Sequence, residues 1–177
     1  QRAASSLGDS LTDPAAAAEI VPALTADTSA ARSLTSDPVW GAAEHLPWIG
    51  PQLAATATVI ASVDDVATTA LEPLALAASS FSLDTLRPAG GAFDVAAIAS
   101  LSDVATTATD SLRQASASVN AIDTTELLAP LAAPVTEVRD LLTSGLTAAD
   151  ALRRTSQLLP LALGAEGPRN YLVMFQN

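Results

Sequence analysis

The chain contains no cysteine and no lysine, and it has a single histidine, His45. Without cysteine there can be no disulfide, no thiolate metal site and no cysteine nucleophile. One histidine excludes the common multi-histidine metal sites and proton relays. Aromatic residues make up only 3% of the chain, so little large side-chain area is available to a core. We therefore expect no metal or other cofactor, and helices that approach one another closely through small residues.

Positive charge is also scarce, because 19 acidic residues face eight basic ones and every basic residue is arginine. The formal net charge of −11 argues against binding to nucleic acid or to an anionic membrane surface, since both require clustered cations. No uninterrupted apolar run reaches the 18 residues of a membrane span. The chain starts at Gln1 without methionine, so we expect any membrane contact to come through a segment upstream of Gln1.

What the sequence does contain is alanine-rich, helix-prone sequence interrupted at a few points by glycine and proline. Its 177 residues are 49% hydrophobic, which is enough for one domain with a sizeable core. A first helix is predicted from about Pro14 to Leu34. Residues 36–51 then combine three prolines, two glycines and both tryptophans, a composition typical of a structured connector.

Three further stretches show apolar and small residues at alternating spacings of three and four, the pattern of a heptad seam. The seams are Ile60, Val63, Ala67, Ala70, Leu74, Ala77 and Phe81; Ile98, Leu101, Ala105, Ala108, Leu112, Ala115, Val119 and Ile122; and Leu131, Val135, Val138, Leu142, Gly145, Ala149 and Leu152. Pro73 is expected to bend the first of these helices, and Pro130 and Pro134 to interrupt the last one early. The predicted fold is all-α: an elongated antiparallel bundle of about four long heptad-patterned helices over residues 1–157.

An internal repeat relates the second and third helices. Ile60-Ala61-Ser62 and the hexapeptide of residues 65–70, DVATTA, recur at a constant offset as residues 98–100 and 103–108. Helix duplication is one explanation, and convergence within a composition restricted to alanine, threonine, serine and aspartate is the other.

The last segment, residues 158–177, has a different character. Prolines and glycines end the helical pattern and lead into a continuous apolar, β-prone run: Tyr171, Leu172, Val173, Met174 and Phe175. Such a run predicts a strand buried on both faces, yet the chain offers no second strand to pair with it. We therefore expect these five residues to pair with another chain, or with a downstream region of the same precursor.

Few residues suggest catalysis. The only histidine is expected to be structural, Asp64 and Asp65 are expected to be solvated at the surface, and the turn at residues 164–169 lacks the Lys-Ser/Thr of a phosphate loop. No serine has the context of an activated nucleophile. We expect this chain to have no enzyme active site.

Two segments resemble the signature sequences of an actinobacterial cell-envelope family catalogued as domain of unknown function 4012. These are SDPVW with LPWIGP, at residues 36–40 and 46–51, and LLPLALGAEGPRNYLVMFQN, at residues 158–177. The resemblance implies an extracytoplasmic helical region, anchored by a membrane segment upstream of Gln1 and followed by an α/β region. The arginine- and glycine-containing continuation that follows Gln-Asn in the family is absent, and the family has no established reaction.

The end of the chain at Asn177, inside a strand motif, has two explanations. One is an arbitrary boundary or limited proteolysis. The other is natural cleavage after Asn177, whose side-chain amide would attack its own carbonyl carbon to form a succinimide.

These observations support a non-enzymatic structural or interaction module at the cell surface, a stalk or assembly component that associates with itself or with another protein. The alternative is the non-catalytic helical part of an envelope polysaccharide assembly or processing enzyme, with its active site downstream.

Overall fold

The computed structural model describes residues 14–80 and 95–162, together with Gly167 and Met174. Within these residues the chain is mostly helical, as the sequence predicted. The elements are α1 (Pro14–Thr35), α2 (Pro38–Ala43), α3 (Gly50–Val66), a π-helical turn (Ala67–Leu71), α4 (Glu72–Ser80), α5 (Val95–Asn120), a 3₁₀ turn (Thr124–Glu126) and α6 (Ala129–Ala162). None of the helices in the described ranges has the length and apolar character needed to cross a bilayer.

The helix that contains Pro73 includes the π-helical turn, which joins α3 to α4 without a break. The N–H of Glu72 donates to the carbonyl oxygen of Ala67, five residues earlier. In a regular α-helix the proline ring would clash with the carbonyl of Thr69, and that carbonyl would lose its donor. The wider π-turn accommodates the proline, so the helix continues to Ser80.

Pro130 and Pro134 do not interrupt the last helix, and that prediction is wrong. α6 begins at Ala129 and passes through both prolines. Pro130 is the second residue of the helix, where the backbone N–H would have no intrahelical partner in any case. Pro134 removes one hydrogen bond near the N-terminus of the helix. The helix nevertheless continues past Pro160 to Ala162.

α5 lies between α3 and α6, and the hydrophobic core lies along its two contact faces. The core is built largely from small side chains, because α5 contributes three fully or nearly buried alanines. The buried residues of this cluster are Val66, Ala70, Ala108, Leu112, Ala115, Val119, Val135, Leu142 and Ala149. Close approach is also visible at Gly145, where an added Cβ would lie 3.4 Å from Leu112 Cδ2.

Hydrogen bonds between helices show that neighbouring helices run in opposite directions. The side chains of Thr28 and Ser29 donate to Asp64, and Arg32, further along α1, donates to the carbonyl of the earlier residue Ala61. α1 therefore runs antiparallel to α3. Arg139 of α6 contacts the end of α5 while Gly145 lies near Leu112, so α5 and α6 are also antiparallel.

The predicted strand of residues 171–175 lies outside the described residues except for Met174, which is 85% exposed and belongs to no regular element. The predicted cleavage position, Asn177, also lies outside the described residues.

Candidate functional site

The connector of residues 36–51 folds into a short helix and a tight return, as its proline- and tryptophan-rich sequence suggested. Asp37 caps α2: its Oδ1 accepts a hydrogen bond from the N–H of Val39 at 2.7 Å. Trp40 points back toward α3 and donates from Nε1 to the carbonyl of Leu53 at 3.4 Å. The connector is thereby held against the helix that follows it.

The return into α3 forces one residue into an unusual backbone conformation. Gly50 donates its N–H to the carbonyl of Leu46 at 2.8 Å, closing a tight loop over Pro47, Trp48 and Ile49. Inside this loop Trp48 has φ of +73°, the left-handed region that a bulky side chain rarely adopts. Such strain costs roughly 1–2 kcal/mol in this region.

The strained tryptophan is also almost completely exposed, with 92% of its surface open to solvent. Leu46 and Ile49 beside it are more than half exposed, and so is Leu128 in the connection between α5 and α6. A single exposed apolar residue is common on protein surfaces, but neighbouring ones on a rigid loop are typical of an interaction site.

Gln52 links the connector of residues 36–51 to the connection between α5 and α6. Its Nε2 donates to the carbonyl of Glu126 at 2.8 Å, and its Oε1 accepts from the N–H of Leu128 at 3.0 Å. Only 8% of Gln52 is exposed, and both hydrogen bonds are partly buried. The connector and the α5–α6 connection therefore form one surface, which we call the connector end: Glu44, Leu46, Trp48, Ile49, Asp123, Glu126 and Leu128.

The connector end also carries carboxylates. Asp123 caps the 3₁₀ turn and accepts from the hydroxyl of Thr125 at 2.6 Å and from its N–H at 2.9 Å. Those hydrogen bonds, the one from the Thr125 hydroxyl most of all, lower the pKa of Asp123. Glu44 and Glu126 add two more carboxylates. The connector end is thus acidic as well as apolar.

Arg139 stabilises the C-terminal end of α5, next to the connection between α5 and α6. Its guanidinium donates to the carbonyls of Val119 at 3.3 Å and Ile122 at 2.5 Å, at the C-terminal end of α5. A cation in this position satisfies carbonyls that lack helical partners and opposes the negative end of the helix dipole. Arg139 is therefore structural.

Asp64 is not a solvated surface residue, so the expectation from its sequence is wrong. Its carboxylate accepts from Ser29 at 2.8 Å, from Thr28 at 3.1 Å and from Arg32 at 3.3 Å, and the residue is only 7% exposed. Arg32 also donates to the exposed carboxylate of Asp65, and this hydrogen bond is the main cause that raises the pKa of Arg32. The cluster attaches α1 to α3.

A polar groove of about 440 Å³ runs beside the π-turn, between α3 and α5. Thr69 and Thr107, which occupy equivalent positions of the internal repeat, both line it. Its carboxylates are Asp65 and Asp110, and each already pairs with an arginine, Arg32 or Arg113. The groove is lined by Ser62, Asp65, Thr69, Thr107, Asp110, Ser111, Gln114, Ala115 and Ser118.

His45 lies apart from this groove, exposed in the connector, with Nδ1 2.9 Å from the carbonyl oxygen of Gly41. Its only described side-chain hydrogen bond is therefore local to the connector. Within residues 14–80 and 95–162 no three carboxylate or histidine side chains gather as a metal site would require.

The resemblance noted at residues 36–51 and 158–177 stays a prediction. Comparisons of the chain with protein-family models, with curated proteins and with solved structures give no match.

Proposed function

We propose that the chain is a non-enzymatic structural and interaction module that associates with copies of itself, and that the connector end is its contact surface. The helices are proposed to form an elongated antiparallel bundle with heptad seams, a stalk that carries the connector end at one extremity. The extracytoplasmic location implied by the sequence resemblance is part of the same proposal.

One observation carries the proposal: Trp48 is strained and exposed at once. Its left-handed backbone costs free energy, and with 92% of the residue open to solvent there is little burial to offset that cost. Strained backbone that the surrounding structure enforces is concentrated at functional sites. Tryptophan is also the residue most enriched at the centres of protein interfaces.

The rigidity of the loop supports the same interpretation. Gly50 and Leu46 close the loop, and Gln52 fixes its distance from Leu128. A surface that is already ordered loses little conformational entropy when it binds. The connector end is therefore suited to association with another folded surface.

The apolar strand predicted at residues 171–175 is proposed as a second contact, formed by pairing with a strand of a polypeptide other than a second copy of this chain. Its support is the sequence, a continuous run of residues with high β-propensity.

Analytical ultracentrifugation over a range of concentrations tests the proposal. The full chain is expected to associate reversibly, and Trp48→Gly is expected to weaken that association while leaving stability unchanged or raising it, because glycine tolerates φ of +73°. Leu76→Ala is the matched control, since Leu76 is 64% exposed but lies on α4. A chain that stays monomeric at every concentration, or Trp48→Gly copies that associate as tightly as the parent, would overturn the proposal.

A further inference from the structure

Within the part of the chain that the structure describes, positive charge is concentrated in one groove. Three of the five arginines in the described residues, Arg113, Arg153 and Arg154, line a groove of about 800 Å³ between α5 and α6. The other two, Arg32 and Arg139, are occupied with the structural contacts described above.

The groove carries more positive than negative charge. Arg113 pairs with Asp110 at 2.5 Å, whereas Arg153 and Arg154 share one carboxylate, Asp150, at 2.5 and 2.6 Å. Two carboxylates thus face three guanidinium groups, each with five N–H donors. The side chains of Arg113 and Arg154 are 57% and 70% exposed, so they remain accessible to a further anionic partner.

The connector end has the complementary character, because it combines an exposed tryptophan with the carboxylates of Glu44, Asp123 and Glu126. It cannot reach the groove of its own chain. Leu128 immediately precedes α6, and Leu146, the first groove residue on that continuous helix, lies 18 residues further along, which corresponds to about 27 Å at 1.5 Å per residue. A contact between the two surfaces therefore has to join different molecules.

We infer that the arginine groove of one copy receives the connector end of a second copy. The inference rests on the proposed function and adds the identity of the partner surface. Arginine suits this role because its planar guanidinium pairs with carboxylates and also stacks on aromatic rings such as that of Trp48. Because the two surfaces differ, the contact is head to tail. It produces open chains of copies unless the rotation that relates one copy to the next closes them into a ring.

Complementary variants of the full chain test this directly. The groove variant, Arg113→Gln with Arg154→Gln, keeps Arg153 beside Asp150 and keeps the connector end. The end variant, Glu44→Gln with Glu126→Gln, keeps the groove and leaves Asp123 as the cap of the 3₁₀ turn. Each variant alone is expected to be monomeric at concentrations where the parent forms a series of oligomers. An equimolar mixture is expected to form one-to-one dimers and nothing larger, because only one functional contact can form.

Asp27→Asn with Asp103→Asn is the control for charge, since it removes two exposed carboxylates elsewhere and is expected to leave association unchanged. Raising the salt from about 0.05 M to about 0.5 M is expected to weaken association at least tenfold through screening. Circular dichroism of each variant checks that the helices are retained.

Three results would overturn the assignment of the groove: a groove variant that associates like the parent, a mixture that forms no dimer, or inorganic phosphate that binds the arginines without competing with association. If the groove variant still associates and Trp48→Gly abolishes that association, the proposed function stands and only the groove assignment falls. A parent chain that never associates overturns both.

Discussion

Gly50 and Glu44 approach so closely that an added Cβ on Gly50 would lie 2.1 Å from the carbonyl oxygen of Glu44. No side chain can be accommodated at that distance, because the atom it meets belongs to the backbone. The turn that displays Trp48 therefore depends on glycine at position 50.

Gly50→Ala is expected to destabilise the chain by about 3 kcal/mol, because the backbone of the connector has to move. Gly41→Ala is the matched control, since an added Cβ there meets nothing within 4 Å and Gly41 lies in α2. That substitution is expected to raise stability by about 0.5–1 kcal/mol through helix propensity. Urea denaturation of both variants gives the comparison, and equal effects at the two positions would contradict the close approach.

Gln52→Ala is expected to lower the free energy of unfolding by about 2–3 kcal/mol, because the N–H of Leu128 and the carbonyl of Glu126 lose a buried partner. Gln114→Ala, on the exposed face of α5, is the control and is expected to be close to neutral. Amide hydrogen exchange provides a second measurement: the N–H of Leu128 should exchange faster in Gln52→Ala. Unchanged protection of that amide would show that Gln52 does not hold the connection.

The sequence was sufficient to predict the helices and the structured connector, because both depend on local signals. Alanine-rich stretches favour helix whatever they pack against, and prolines, glycines and two tryptophans within residues 36–51 mark an ordered connector. The prediction that Pro130 and Pro134 interrupt the last helix was wrong. Pro130 stands where the backbone N–H has no intrahelical partner, and the helix continues through Pro134 with the loss of one hydrogen bond.

The sequence was not sufficient where a residue's role depends on a distant partner. Asp64 and Asp65 are adjacent and chemically identical, yet only Asp64 is buried, because α1 places Thr28 and Ser29 against it. Gln52 likewise acts through the α5–α6 connection, far away in the chain. In the internal repeat Pro73 corresponds to Ser111, and only the copy with proline contains a π-turn, a difference that the shared DVATTA sequence conceals.

Asp64→Ala is expected to loosen α1, at a cost of about 2–4 kcal/mol, because the substitution leaves the hydroxyls of Thr28 and Ser29 and the guanidinium of Arg32 without their shared acceptor. Asp103→Ala removes the exposed aspartate that corresponds to Asp65 in the second copy of the repeat, and is expected to have little effect. Hydrogen exchange should show the loss of protection confined first to α1. Equal effects of the two substitutions would contradict the structural role of Asp64.

Asp150 should titrate below the ordinary range of an aspartate. The hydrogen bond from Arg153 is the largest cause that lowers its pKa, and the charge of Arg154 adds to it. Because the pKa of the folded state lies below the unfolded value of about 3.9, the stabilisation is fully present above that pH. It is lost as the pH falls through the lower, folded-state pKa.

Carbon-detected NMR titration of the Asp150 carboxyl group measures this shift directly. Arg153→Gln is expected to raise the pKa of Asp150 more than Arg154→Gln does, since Arg153 donates from both Nε and Nη2, at 3.2 and 2.5 Å. If the pKa of Asp150 did not change in Arg153→Gln, the hydrogen bonds between Arg153 and Asp150 would not be retained in solution.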